Sequence, residues 1–384
     1  MKIRPITILF LLFIIFSSCR KGDQSEFDSI SYSGNRNLLI DQFEYDSIAI
    51  DGSATSLVGK WALKDDKFLW GDYLYGTLDF YSSSFDFLKR TLGQGNGPDE
   101  IPTKKWTDFS IDEDLFILGS SNDYFVLDDG LHFLERDRFD FVSKDVDLQT
   151  LQNSPKPHYK GIYEVNYPAV KAVYIDQRNV LLPISSSHPK FNAYQPDYYK
   201  EANVLGVLNI ESSDIEMLSL GYPPVYQDYN CIPQFSNILF NNYKKNIVLG
   251  YEADSLLYIA DRKGNILEKF GNDGRNMERN YPEVRDFNNY VEDYEERLNY
   301  GYFTYVYYDE NAQLLFRGYQ KDKPHQDTDG LQIYADNELV GDVDVPVDME
   351  VFGFIAPYFY AQLPVDNNSE TLFIARFKLE DLKS

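Results

Sequence analysis

The side chains that most often carry chemistry are thinly spread in this chain. Its 4 histidines, His132, His158, His188 and His325, lie far apart and fall into neither H-x-x-x-H nor H-E-x-x-H spacing, so no helix face offers a zinc pair. Spacing leaves open a metal gathered from separate segments, with His158 and His188 in adjacent proline-containing loops. Asp65-Asp66, Asp112 with Asp114, and Asp128-Asp129 have the oxygen donors that calcium takes. They also stand just before strand-like runs, where aspartate turns the backbone with its own side chain. The EF-hand loop, with its central glycine and closing glutamate, is absent, and calcium stays as an expectation for a loop or channel ion. No G-x-S-x-G elbow occurs, and Ser185-Ser186-Ser187-His188 has no acidic partner in sequence. Cys231 in YNCIPQF has no neighbouring base and reads as a buried thiol. No catalytic residue and no metal ligand is assigned.

The clearest signal is at the N-terminus. Lys2 and Arg4 precede a mostly apolar run of 11 residues from Ile6 to Phe16, and Ser17-Ser18-Cys19 follows. The run is shorter than the ~20 residues a spanning helix needs and fits the core of a secretion signal. Small residues directly before a cysteine resemble a bacterial lipobox, with Phe16 where that pattern prefers leucine. The resemblance implies cleavage after residue 18 and a diacylglycerol on the Cys19 thiol. The expected layout is a signal peptide at 1–18, a lipidated flexible tether at 19–37 and a single body at 38–384.

Cleavage removes Lys2 and Arg4 and no acid, which leaves 34 basic against 61 acidic residues and a net charge near −27. Nucleic acid is excluded as a partner on that charge, because no basic run exceeds Lys104-Lys105 or Lys244-Lys245. The same charge discourages adsorption to anionic lipid, so membrane contact is expected through the lipid alone. With only Cys231 left beside Cys19, no disulfide can staple the body. The 31 Tyr and 27 Phe must supply a large core instead.

The elements around these residues read as strands. Thr77–Pro102, TLDFYSSSFDFLKRTLGQGNGPDEIP, is a strand, a serine turn, a second strand and a glycine-rich corner, and 255–276 repeats the plan around Lys263-Gly264-Asn265. Six starts share a turn signal and a short apolar strand: DDKFLWGDY (65–73), DEDLFILGS (112–120), DQRNVLLPI (176–184), KKNIVLGYE (244–252), NAQLLFRGY (311–319) and MEVFGFIAP (349–357). They are 47, 64, 68, 67 and 38 residues apart, and each is followed by a second strand candidate. The pattern predicts an all-β, six-bladed propeller, with seven blades as the alternative. The first strand-like segment, 38–50, is expected to close the last blade. Two insertions stand out. One, 185–229, is rich in tyrosine and proline. The other, 272–300, places Phe287, Tyr290, Val291, Tyr294 and Leu298 at helical spacing, and this predicts a short amphipathic helix packed on the propeller.

The corner at 92–101, LGQGNGPDEI, resembles that of the TolB-like six-bladed propeller lipoproteins common in Bacteroidota, through Gly93, Gly95, Gly97, Pro98 and Glu100. One residue is missing between the first two glycines, Asp99 replaces a glycine and Ile101 an aromatic. The resemblance implies the fold and the cell envelope, and it brings no catalytic residues. Physically, the glycines supply the turn, Pro98 fixes the exit, and Glu100 accepts from backbone amides.

These readings lead to a lipid-anchored envelope protein, expected at the outer membrane with the face left open by Asp23, Glu26 and Asp28. Its first expected role is a non-enzymatic binding or scaffold module for a protein, peptide or glycan. The alternatives are a metal-dependent hydrolase or lyase using the central channel, and an accessory or sensor subunit of an export or uptake assembly. Tyr194, Tyr198, Tyr222, Tyr226 and Tyr229 are the candidate ligand-binding residues, since tyrosine gives broad contact with few rotors. The competing reading is that these rings cover the adjacent blade.

Overall fold

The structure is a computed structural model and describes residues 27, 30–40, 42–97, 100–102, 105–142, 145–229 and 231–379. Six small antiparallel sheets form the blades of a propeller. Blade one is Gly59–Lys64, Lys67–Asp72, Thr77–Tyr81 and Phe87–Leu92, and blade two is Trp106–Ile111, Leu115–Gly119, Asp123–Leu127 and Phe133–Arg138. Blade three has a split first strand, Glu164–Val165 and Val173–Asp176, both pairing with Asn179–Ser185, then Leu205–Asn209 and Asp214–Met217. Blade four is Ile238–Tyr243, Asn246–Tyr251, Leu256–Ala260 and Ile266–Gly271. Blade five is Tyr302–Asp309, Leu314–Gln320, Asp329–Ala335 and Glu338–Val345, and blade six is Glu350–Ile355, Tyr358–Asp366 and Thr371–Phe377. From blade two round to blade one, first strands of neighbouring blades lie against one another around the axis.

Second strands are buried on both faces because each blade is sandwiched between two others, so LFILG and NIVLGY are continuous apolar runs. Between blades the layers are largely aromatic, with Phe68 edge-on to Tyr360 at 4.7 Å and Phe316 to Phe359 at 5.1 Å. The aspartate signals do their work in the backbone. Asp65 and Asp66 have φ of 50° and 57°, and Asp336 and Asn337 have 45° and 69°, the paired left-handed conformation of two-residue hairpins.

Five of the six expected starts coincide with second strands. The sixth, 349–357, is the first strand of blade six, and the second strand there begins at Tyr358 after the Ala356-Pro357 turn, which carries no aspartate signal.

The N-terminal segment closes the ring as expected and does more. Tyr45–Asp51 pairs antiparallel with Thr371–Phe377 as the outer strand of blade six, while Asn35–Ile40 lies parallel on the outer strand of blade five. Upstream, Tyr32 bridges Lys269 on blade four's outer strand, and the buried Phe27 ring stacks edge-on to Tyr258 at 4.7 Å. The stretch 19–37, expected as a free tether, is therefore bound to the body from Phe27 onward in its described part. Phe27 and Ile30 packed on the core, and bonds donated to the open edge carbonyls of Lys269 and Gly271, fix it, and neither leaves an apolar period to read.

Strand directions alternate, so the connections alternate between two faces. Those entering a first strand, and those joining second to third strands, share one face. Every long insertion falls there: 139–163, 186–204, 218–237 and 272–301. The opposite face carries only short turns.

Candidate functional site

The axis is the first place where blades bring polar groups together. Asp108 on blade two is buried and accepts from Tyr73 Oη at 2.8 Å and the Ala172 amide at 2.6 Å, and Lys60 Nζ lies 2.5 Å from it. One carboxylate thus ties blades one, two and three. The split first strand of blade three puts Lys171 into the channel, where its Nζ donates across to the Val306 carbonyl on blade five at 3.3 Å. Burial pushes the Lys171 amine below the ordinary lysine value and Lys60 adds to this, while Glu350 and Asp108 oppose it. Asn241 Nδ2 reaches the same carbonyl at 3.4 Å. These groups stitch blades to each other. Among the described residues no group of three or more His, Cys, Asp or Glu comes together to hold a metal.

The four histidines are separate and locally engaged. Nδ1 of His132 pairs with Asp128 and Nδ1 of His325 with Asp322, while the His158 ring meets Tyr159. His188 Nδ1 accepts from the Lys190 amide, and Ser186 Oγ donates to the Phe191 carbonyl, so the serine–histidine run is a loop tie. Cys231 is buried, and burial raises its thiol. On the short-turn face Asp65, Asp112, Asp114, Asp128 and Asp129 line a cleft whose counter-charge is Lys64, 2.5 Å from Asp129.

The glycine corner joins blade one to blade two. Glu100 Oε2 accepts from the Gly97 amide at 2.7 Å, and Ile101 N–H donates to the Gly93 carbonyl at 2.7 Å. A Cβ at Gly95 would meet Glu100 Oε2 at 1.9 Å, so a side chain there would displace that carboxylate from the Gly97 amide. Pro98 and Cys19 fall outside the described residues.

The tyrosine-rich stretch 185–229 is two insertions, 186–204 and 218–237, either side of blade three's two outer strands, and its central tyrosines are core. Tyr198, Tyr222 and Tyr226 are buried together with Tyr199, which sequence reasoning missed, and their rings are 4.8–5.7 Å apart. Each hydroxyl has a partner: Tyr198 accepts from the Ser186 amide, while Tyr199, Tyr222 and Tyr226 donate to the carbonyls of Ala193, Ser236 and Phe235. Burial raises all four phenols, Tyr198 to about 12 and the others further. The expected recognition role is therefore corrected for Tyr198, Tyr222 and Tyr226. Tyr194 and Tyr229 keep partial exposure.

The second insertion reverses its expectation in the opposite sense. Phe287–Asn289, Tyr290–Glu296 and Arg297–Asn299 form one short helical segment as predicted. Its apolar stripe faces solvent: Phe287 is 65% exposed, Tyr290 53%, Val291 49%, Tyr294 50% and Leu298 48%. What goes inward is Arg297, 6% exposed, with Nη2 2.7 Å from Glu252 and its guanidinium 3.8 Å above the Tyr302 ring. Glu252 is further held by the Asn237 amide and side chain. A lone arginine among acidic residues was the available signal. Tyr194 joins this ridge, its ring edge-on to Phe287 at 5.4 Å.

No family model matches the chain, and no curated protein matches it. Solved structures do. A member of the DUF4221 family from Bacteroides vulgatus is 11% identical with a TM-score of 0.64, over 88% of this chain and 98% of that one. A putative exported protein from Bacteroides fragilis is 13% identical with a TM-score of 0.51, over 92% of this chain and 99% of that one. The likeness shows the fold. Among the described residues no helix is long and apolar enough to cross a membrane.

Proposed function

We propose that this propeller is a non-enzymatic binding module of the cell envelope, tethered by a lipid on Cys19, that offers its insertion-bearing face to a partner macromolecule. One observation carries the reading. Apart from outer-strand positions and Tyr32, Leu38 and Leu39 of the N-terminal segment, the large apolar side chains exposed among the described residues are Val58, Leu74, Tyr75, Val142, Leu148, the helical ridge and Val347, and all lie in connections of that face. The opposite face's turns hold none. Apolar exposure gathered on one side marks an interaction surface, and rigid scaffolds place recognition in such loops.

The test is a photo-crosslinking scan in the cells that make the protein. p-Benzoylphenylalanine at Tyr75 and Leu148 should yield adducts with another macromolecule, and at Lys245 and Lys263 on the short-turn face it should yield none. Adducts from the short-turn face alone, or equally from both, would overturn the reading. Fatty-acid label lost on Cys19→Ala supports the tether, and label retained sinks it.

A further inference from the structure

The ridge at 287–298 differs from the scattered apolar residues around it because it is mounted. Arg297 gives its guanidinium to Glu252 and to the Gln234 carbonyl at 2.5 Å, under Tyr302, Phe235 and Tyr294, and the Leu298 carbonyl accepts from Gln326 Nε2. Burying a charge pair costs several kcal/mol unless its geometry is good, and a helix whose stripe belonged in the core would turn the stripe inward and leave the arginine in water. Here the charge is inside and the stripe outside.

We infer that this ridge is the docking element for a partner protein that offers an apolar groove edged by lysine and arginine, an inference that rests on reading the insertion face as the binding face. Phe287, Tyr290 with Val291, Tyr294 and Leu298 follow one another at three- or four-residue steps, the anchor pattern by which an amphipathic helix enters a groove. Aromatic anchors of this kind dominate binding energy. Charge selects the groove's edge. Asp286, Glu292, Glu295 and Glu296 flank the stripe and are exposed, and of the two arginines beside it Arg285 pairs with Glu283 and Arg297 is buried. A second copy of this chain would set acid against acid, and so would an anionic membrane.

The experiment places p-benzoylphenylalanine at Tyr290 or Val291 of the full-length protein in its own cells, with Leu134 on blade two's outer strand as control, and sequences the crosslinked peptides. Expected is one partner protein from both ridge positions and none from Leu134, joined through an apolar peptide with lysine or arginine beside it. Reversing Glu292, Glu295 and Glu296 to lysine should cut the yield at least about tenfold, since like charges at a rim cost contact and encounter rate. If that variant fails to fold, the glutamine version should still lower the yield. A self-adduct, a phospholipid adduct, or a yield indifferent to charge overturns the inference. Adducts at Tyr75 and Leu148 without any from the ridge sink the ridge alone, and silence at all four positions sinks the binding-face reading with it.

Discussion

Two aromatic insertions rise from the same face and meet at the contact of Tyr194 with Phe287, yet they have opposite fates. The first, 186–204, turns Tyr198 and Tyr199 into the space above blades three and four beside Tyr222 and Tyr226 of the neighbouring insertion 218–237, where backbone carbonyls and amides wait for their hydroxyls. The second buries its arginine and leaves the rings of its helical ridge, Phe287, Tyr290 and Tyr294, in water. The difference lies in polar partners. A ring with an oxygen goes inside where that oxygen can be paired, and a helix goes down on whichever face meets the buried counter-charge.

That contrast can be broken most severely from the inside. Tyr226→Ala and Tyr199→Ala should each lower unfolding free energy by ~3–5 kcal/mol in denaturant melts, as large aromatic truncations in cores do. Losses below 1 kcal/mol would mean that the cluster is surface after all. Arg297→Ala should cost ~3 kcal/mol, because it strands Glu252 without its partner. Hydrogen exchange over 287–298 should accelerate in that variant while blade one stays unchanged, and uniform acceleration would show that the arginine is no dedicated mount.

A smaller effect comes from Asp329, at the start of blade five's third strand, whose carboxyl burial pushes up to about 6 against the amide bond from Asp348 and the pull of Lys321. The folded protein thus holds this proton more tightly than the unfolded chain does. Its contribution to stability is fullest below pH ~4 and is lost as pH rises through about 6. Asp329→Asn should stabilise the protein at pH 7 by ~1–2 kcal/mol, discounted for partial solvent access, and flatten melting temperature between those limits. An unchanged pH profile contradicts it. Smallest of all, Phe287→Ser and Tyr290→Ala should shift stability by ~0.5 kcal/mol or less, the usual range for exposed positions.

In blades one to five the second and third strands were legible because both faces of each are largely buried and aspartate or asparagine turns punctuate them, as at Asp65-Asp66 and Asp336-Asn337. First strands were harder, since WTDFSI alternates channel-facing polar groups such as Asp108 with core residues. Phe27 could not be read as part of the body, because its site exists only once blade four is folded. Periodicity found the ridge helix but not its orientation. An apolar stripe states that two faces differ, and the buried Glu252 that captures Arg297 lies 45 residues away in the chain. For the tyrosine insertion, composition favoured recognition and packing alike, and only the placement of hydroxyl partners separates them.

The most direct measurement is tyrosine nitration of the folded protein with tetranitromethane, followed residue by residue by mass spectrometry. The reagent needs an accessible, ionisable phenol, and burial holds the phenols of Tyr199, Tyr222 and Tyr226 well above their usual range. The account predicts early nitration of Tyr290 and Tyr294, with Tyr199, Tyr222 and Tyr226 intact until the protein unfolds. Nitration of the three while the fold persists, or protection of Tyr290 and Tyr294, would contradict it.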